Sequence, residues 1–595
     1  PYNLQPHLKC LTDPDYDHKY YVDQRPRVFD VQIFADDSAS SNIHPGGWGT
    51  ILVGSMRFGG SPVTALDLNG VAADKRKFIS AYFVLDITNP EAPPQLLAEM
   101  TMTTDDADSD GNLDYTDLGY TTSSPALVIM RDDAGRTEWY LTLGNGPTNL
   151  KGENTEQGKI AIMPLNWLVG EPTFVVQAGA SALLGAVAVP DKPFRIPNAM
   201  PIFGVDAGFF PIPDAASGNV ESFVSDIVSV DYDVNSPAVI GVGAAYKTDA
   251  IYFGTTDGSG FVDNGSGGKE WGGGGRMMRL VTRSAMLNDL DADGELFTDG
   301  VKDPGESYIQ EMTKPYEWLI YPMLDAQGPV STGPGVGWDG SNFWIYFGTG
   351  RFLDSDDKTD AQVQRFFGLK ESYDCATEEL SWDVINWLNA DVAIDPDPTA
   401  ASASRGLMRV DEILVVENEG TLFCADWTTD CRLDNTDTAI ATFSNLKNYI
   451  VGETCPQENE DGGLDGWYRV LPDTRERNLG QATLLGGLVT FTTYRPYVDV
   501  CQAEGESFLY GVHYQTGTSW TKNLFGTTDV AGYTLVKSRI GLGKGLALTP
   551  SLHVGNGDDA ATAFIQTSTG EIVEIGQEEL PLTNFRTGRS SWRQE

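Results

Sequence analysis

The sequence has no apolar run approaching the ~18 residues that a membrane-crossing helix requires. Its opening segment from Pro1 is polar and lacks the basic and apolar regions of a signal peptide. The expectation is a soluble, already processed chain without membrane insertion. Basic residues are scarce: 40 Lys+Arg stand against 84 Asp+Glu over 595 residues, a formal net charge of −44. That balance excludes nucleic acid as a partner, because backbone binding draws on Lys and Arg displacing condensed counterions. An acidic membrane surface is repelled in the same way. Cations and basic surfaces remain as natural partners. Only 21% of residues are charged and 41% are hydrophobic, so the composition is not that of a disordered chain.

Histidine is also scarce. His7, His18, His44, His513 and His553 are scattered, whereas a metallohydrolase needs clustered imidazoles and a nucleophile needs an adjacent base. There is no HExxH, no GxSxG, no GxGxxG opening a helix and no GxxxxGK[ST] phosphate loop. His18, within DPDYDHKYY, reads as a packed or surface histidine, and no enzymatic chemistry is expected. Carboxylate pairs carry no information in so acidic a chain. The six cysteines, Cys10, Cys375, Cys424, Cys431, Cys455 and Cys501, include no CxxC and no CxxCH, which removes zinc-ribbon, thioredoxin-like and haem-attachment readings. Disulfides and idle thiols both remain open. The even count favours disulfides, and Cys424 and Cys431 flank a polar turn short enough for a local bridge.

What the sequence does have is a recurring short strand that ends near glycine: WGTILVGSM (48 to 56), EWYLTLGNG (138 to 146), AIYFGTTDG (250 to 258), FWIYFGTGR (343 to 351), LVTFTTYRP (488 to 496) and AFIQTSTGEI (563 to 572). Alternation such as Trp139, Leu141 and Leu143 against Tyr140 and Thr142 is the period-2 signature of strands, and no 3.6-residue period runs far. Helix is expected to be a minor component. With 65 Gly and 32 Pro for tight turns, the fold class is all-β. A modified β-propeller of four-stranded blades with long loop insertions, a single domain over residues 1 to 595, fits better than a string of β-sandwiches, which would show cleaner linkers. The low-complexity stretch DGSGFVDNGSGGKEWGGGG (257 to 275) reads as a long flexible loop inside one repeat.

Two acidic loops carry the sharpest local signal. In DADSDGNLD (106 to 114), Asp106, Asp108 and Asp110 alternate, Gly111 permits a sharp turn, Asn112 offers its carbonyl and Asp114 closes the ring. Calcium needs about six to eight oxygens, and a loop that turns its odd positions inward supplies them. The second stretch, NDLDADGELFTDGVKDPGE (288 to 306), begins with Asp289, Asp291 and Asp293, then Gly294 and the Glu295 carbonyl. Its ninth position is Phe297, which cannot ligate. A second frame over Asp299, the Val301 carbonyl, Asp303 and a bidentate Glu306 also meets Phe297, so one Ca²⁺ is expected here. The alternative in both places is a solvated acidic turn.

Several segments together resemble the C-terminal propeller of the PilY family, type IV pilus tip-associated adhesin and assembly proteins. They are HLKCLTDPDYDHKYYVDQRP (7 to 26), GWGTILVGSMRFGG (47 to 60), YFVLDITNPEAPPQLLAEMT (82 to 101), LGYTTSSPALV (118 to 128), LTLGNG (141 to 146), IYFGTTDG, IYFGTGRFLDSDDKTD (345 to 360), GWYRVLPDTRERNLGQATLLGGLVTFTTYRP (466 to 496) and the tail ATAFIQTSTGEIVEI to GRSSWRQE. The resemblance implies about seven blades in a secreted, cell-surface protein, exported through the periplasm to the pilus tip. It also implies minor pilins as partners, support of pilus extension, and adhesion to a surface ligand or twitching motility.

The family's N-terminal region, often with a von Willebrand factor A-like domain, and one blade-forming stretch precede the point where this chain begins. The resemblance therefore implies a cleaved product, a partial chain or a split gene, with an N-terminal fragment completing the first blade. The family's regulatory calcium loop corresponds to residues 230 to 255, where Asp231, Asp233 and Asn235 remain but an insertion separates them from Asp249. Two other readings stay beside it. A quinoprotein dehydrogenase would also combine a propeller with Ca²⁺, but its adjacent-cysteine disulfide has no counterpart here. A cell-surface propeller scaffold unrelated to pili fits the composition equally well.

Overall fold

The computed structural model describes, apart from single positions within them, residues 11–16, 20–59, 80–101, 119–131, 137–169, 221–232, 247–285, 318–371, 406–424, 440–452, 463–499, 504–553 and 561–577, with a few short strands between. Among these the fold is all-β, with one α-helix, Phe443–Val451.

Six sheets of three or more strands follow one another along the chain. The first joins Arg27–Gln32, Trp48–Ser55, Ala81–Asp86 and Gln95–Thr101 in sequence order, each strand antiparallel to the next. The second runs Ala126–Arg131, Thr137–Gly144, Lys159–Pro164, Phe209–Pro211. The third runs Ser222–Val230, Ala250–Asp257, Arg276–Val281, Leu319–Asp325. The fourth is built on Gly335–Trp338, Phe343–Gly348, Arg365–Lys370 and Gly466–Val470. It is widened by Leu407–Arg409, parallel to the last, and by Arg586–Thr587 beside the first. The fifth centres on Leu488–Pro496 and Gly505–His513, with Arg477–Asn478, Thr483–Leu485 and Arg539–Lys544. The sixth is Ser551–His553, Ala561–Gln566, Ile572–Gln577.

The apolar cores lie between successive sheets. Val31, Ile51, Val53, Tyr82 and Val84 of the first meet Trp139, Leu141 and Leu143 of the second. Val128, Tyr140 and Ile162 share a core with Ile251, Phe253, Met278, Ile345 and Phe367 of the third and fourth. Tyr346, Phe366 and Trp467 pack on Phe491, Tyr510 and Val512 of the fifth. Leu509 then meets Ala563 and Ile565 of the sixth. Alternation at 139–143 thus sorts side chains between two cores: Trp139, Leu141 and Leu143 go to one and Tyr140 to the other. Thr142 is also buried, so the strand is covered on both faces rather than half-exposed.

The recurring glycine has a steric reason. A Cβ on Gly254, in AIYFG, would lie 2.2 Å from Val330 Cγ1, and one on Gly348, in FWIYFG, would lie 2.4 Å from Asn478 Cβ. In each case the neighbour belongs to the chain entering the following sheet, so the bare backbone sets how closely the sheets approach.

Two expectations are refined. The glycine-rich stretch 257–275 contains an antiparallel hairpin, Phe261–Asp263 with Lys269–Trp271, and Trp271 is buried with its indole Nε1 donating to the Asp257 carbonyl at 2.8 Å. Composition reads this segment as a loop, but two aromatics give it something to bury. Cys424, closing Leu422–Cys424, is in a disulfide; the other five cysteines lie outside the described residues.

His513 ends the strand Gly505–His513 fully buried, with its ring edge on Phe443. Burial, with Lys447 adding to it, lowers its pKa from 6.5 to about 3. The unfolded chain therefore takes up this proton near pH 6.5, and the folded chain refuses it until about pH 3. The contribution is intact above pH 6.5 and lost progressively as pH falls towards 3. His513→Leu should flatten the decline of the urea midpoint between pH 7 and pH 4.5 relative to the parent; parallel declines would mean that another group governs it.

Candidate functional site

Both predicted calcium loops are bracketed by short hairpins. Thr104–Asp105 pairs with Asp114–Tyr115, with Asp105 opposite Asp114. Arg283–Ala285 pairs with Ile309–Glu311. Asp114 is thus placed at the neck of the first loop. Asp106, Asp108, Asp110 and Asn112, and all of Asp289, Asp291, Asp293, Glu295, Asp299, Asp303 and Glu306, lie outside the described residues. Among the described residues no three Asp, Glu, His or Cys side chains gather closely enough to hold a metal ion.

The third acidic segment is also closed at its base. Asp249, buried, accepts the backbone N–H of Tyr232 through Oδ2 at 2.8 Å, and its own backbone bonds to Val230 and Thr282. Lys247 Nζ stands 3.8 Å from Asp249 Oδ1. Asp233 and Asn235 lie outside the described residues.

Beside this base, between the third and fourth sheets, is a buried polar group that the sequence reading missed. Arg279 Nη1 donates to Glu371 Oε2 at 2.7 Å and Tyr252 Oη donates to Glu371 Oε1 at 2.5 Å, all three side chains being fully or nearly fully buried. Tyr232 and Tyr252 share a hydrogen bond between their hydroxyls. Burial first, and then the Glu371 carboxylate, push both phenols well above 10, so they act as hydroxyl donors at any working pH. The signal was the second arginine of the strand RMMRLV, flanked by apolar residues in a core and so in need of a partner.

A second buried hub ties loops together. Arg351, wholly buried, donates from Nε to Asp357 Oδ1 at 2.8 Å, from Nη1 to the Gly152 carbonyl at 3.1 Å and from Nη2 to the Lys151 carbonyl at 2.8 Å. Its guanidinium lies 3.8 Å from the Trp271 ring centre and 4.9 Å from that of Phe261. Asp357 also accepts the backbone N–H groups of Leu353 and Asp354, both at 2.8 Å, within a capping box on Ser355–Lys358. Arg477 Nη1 reaches the Arg351 carbonyl at 2.8 Å. The run IYFGTGRFLDSDDKTD thus joins loops of the second, third and fifth sheets. Asp354, Asp356 and Asp357 cap or pair, whereas burial raises the pKa of Asp360, whose Oδ2 has no hydrogen-bond partner among the described residues; the four do not gather into a metal site.

The chain is 22% identical over 518 residues to a type IV pilus biogenesis factor PilY1 homolog of Xylella fastidiosa strain Temecula1, an alignment covering 86% of this chain and 24% of that protein. A second PilY1 homolog of the same organism is 22% identical over 615 residues, covering all of this chain and 33% of that one. The chain is thus similar to PilY1 homologs along most or all of its length. It spans between a quarter and a third of the length of these PilY relatives. The crystal structure of the Pseudomonas aeruginosa PilY1 C-terminal domain superposes with a TM-score of 0.49 and 14% identity, covering 94% of this chain and 85% of that one. No protein-family model matches the sequence. Among the described residues, no helix is long and apolar enough to cross a membrane.

Proposed function

We propose that the chain is a calcium-binding β-propeller at the tip of a type IV pilus, a non-enzymatic part that supports pilus assembly and surface adhesion or twitching motility outside the cell. The observation that carries the pilus assignment is the match to two PilY1 homologs, each described as a type IV pilus biogenesis factor. The propeller is supported by six meandering sheets that stack in chain order with a core between each pair. Minor pilins would be the partners. Retention of minor pilins through purification is expected; their absence from an intact pilus-tip preparation would favour a surface scaffold of another kind.

Calcium is supported by the donor chemistry. Asp106, Asp108, Asp110, the Asn112 carbonyl and Asp114 would hold one ion, and the 289–306 stretch another through Asp289, Asp291, Asp293, the Glu295 carbonyl, Asp299, Asp303 and Glu306. Hard oxygen donors on a short loop suit Ca²⁺, and a hairpin closes the first loop at its neck. An ion that binds only the ordered loop, present at ~100 times its dissociation constant, adds about 2.7 kcal/mol. Asp108→Ala combined with Asp110→Ala should therefore lower the melting temperature in calcium and leave it unchanged in chelator. Equal melting of variant and parent in calcium would remove the site.

A further inference from the structure

We infer that the cleft between residues 472–475 and 495–499 binds an acidic sugar, with the Arg475 guanidinium taking its carboxylate. The cleft has a volume of about 620 Å³ and is walled by Pro472, Asp473, Arg475, Arg495, Tyr497 and Asp499. That lies within the range of small-ligand sites, roughly 300–1,000 Å³.

Three observations single out Arg475. Its backbone is left-handed, φ +70°, a conformation strained for a non-glycine residue and concentrated at functional sites and ligand clamps. The surrounding turn enforces it: Glu476 N–H donates to the Asp473 carbonyl at 2.9 Å, and Asp473 N–H donates to Glu476 Oε2 at 3.3 Å. The Arg475 Nε is buried with no hydrogen-bond acceptor. No ion pair engages its guanidinium among the described residues, although the molecule is strongly acidic.

The neighbouring cations are already committed. Arg495 binds Glu506 and stands 3.4 Å from Asp473, while Arg539 binds Asp473 and Glu476. Tyr497 Oη donates to Glu506 Oε1 at 3.0 Å, which fixes its ring at the wall. The cleft therefore offers guanidinium donors and carboxylate acceptors side by side. An anion that offers only acceptors brings no donor to the Asp473 and Asp499 carboxylates. A polyhydroxylated ring both donates and accepts and fits that mixture, and the uncommitted Arg475 selects one carrying a carboxylate through a two-pronged contact. The inference rests on neither the calcium loops nor the pilus assignment.

The test is saturation-transfer NMR on the whole chain in chelator, with glucuronate and galacturonate against glucose and galactose. Transfer to the uronates and little to the neutral hexoses is expected. Arg475→Gln should weaken uronate binding by about tenfold or more, the range for a charged hydrogen bond. Arg475→Gly suits the backbone angle, so it should melt no lower than the parent and lose the uronate signal equally. Absence of transfer, equal transfer to neutral hexoses, or an unchanged signal in Arg475→Gly would each overturn the assignment.

Discussion

Glu371→Ala is expected to destabilise the protein by about 3–5 kcal/mol in urea unfolding, because it leaves the Arg279 guanidinium charged, buried and without its carboxylate. Tyr252 would lose its acceptor in the same step. The cost belongs to breaking the pair rather than to the pair's net worth. Arg279→Met combined with Glu371→Leu removes both charges and should recover most of the loss, since an apolar pair of similar volume escapes the desolvation penalty. A double variant as unstable as Glu371→Ala would show that the carboxylate is needed for the tyrosine pair instead. In that case Tyr252→Phe would reproduce the effect.

Arg351→Ala should be comparably severe, about 3–5 kcal/mol, since it strands the buried Asp357 carboxylate. It also leaves the carbonyls of Lys151 and Gly152 without this donor and takes the cation away from the Trp271 face. Its signature is local as well as global. With the guanidinium gone, the hairpin Phe261–Asp263 and Lys269–Trp271 loses its aromatic anchor and keeps only the Lys269 contacts with Asp356 and Thr359 on the 351–360 loop, so trypsin should cut after Lys269 well before the remaining sheets open. Arg351→Lys keeps the charge but has neither the planar fork nor the stacking surface, and should fall between parent and alanine variant. Slow cleavage at Lys269 in both variants would mean that the hairpin is held by its own aromatic pair.

Much of the strand framework was legible because it rests on local chemistry. Alternation and aromatic–Gly endings located Trp48–Ser55, Thr137–Gly144, Ala250–Asp257, Phe343–Gly348 and Leu488–Pro496 to within a residue or two. The buried pairs were not legible. Arg279 and Glu371 are 92 residues apart, and nothing near either position announces the other. Arg351 and Asp357 are close in the chain, but the carbonyls that complete the hub come from 199 and 200 residues away. The hairpin at 261–271 was hidden for a different reason: its glycines dominate the composition, while the order comes from Phe261 and Trp271 packed edge-to-face beneath Arg351. For the two acidic loops, residue spacing supplied the calcium expectation, and the structure adds the hairpins that flank them.

The short strand Arg586–Thr587 does not extend the sixth sheet but returns to the fourth, pairing with Gly337 and Trp338. The chain between them therefore makes a closed circuit that starts and ends at one sheet edge, with the fifth and sixth sheets strung along it. Tension on the last residues would be borne first by that return pairing. It works as a latch: while it holds, the two sheets behind it carry no load in series, and once it opens they are the next to be pulled.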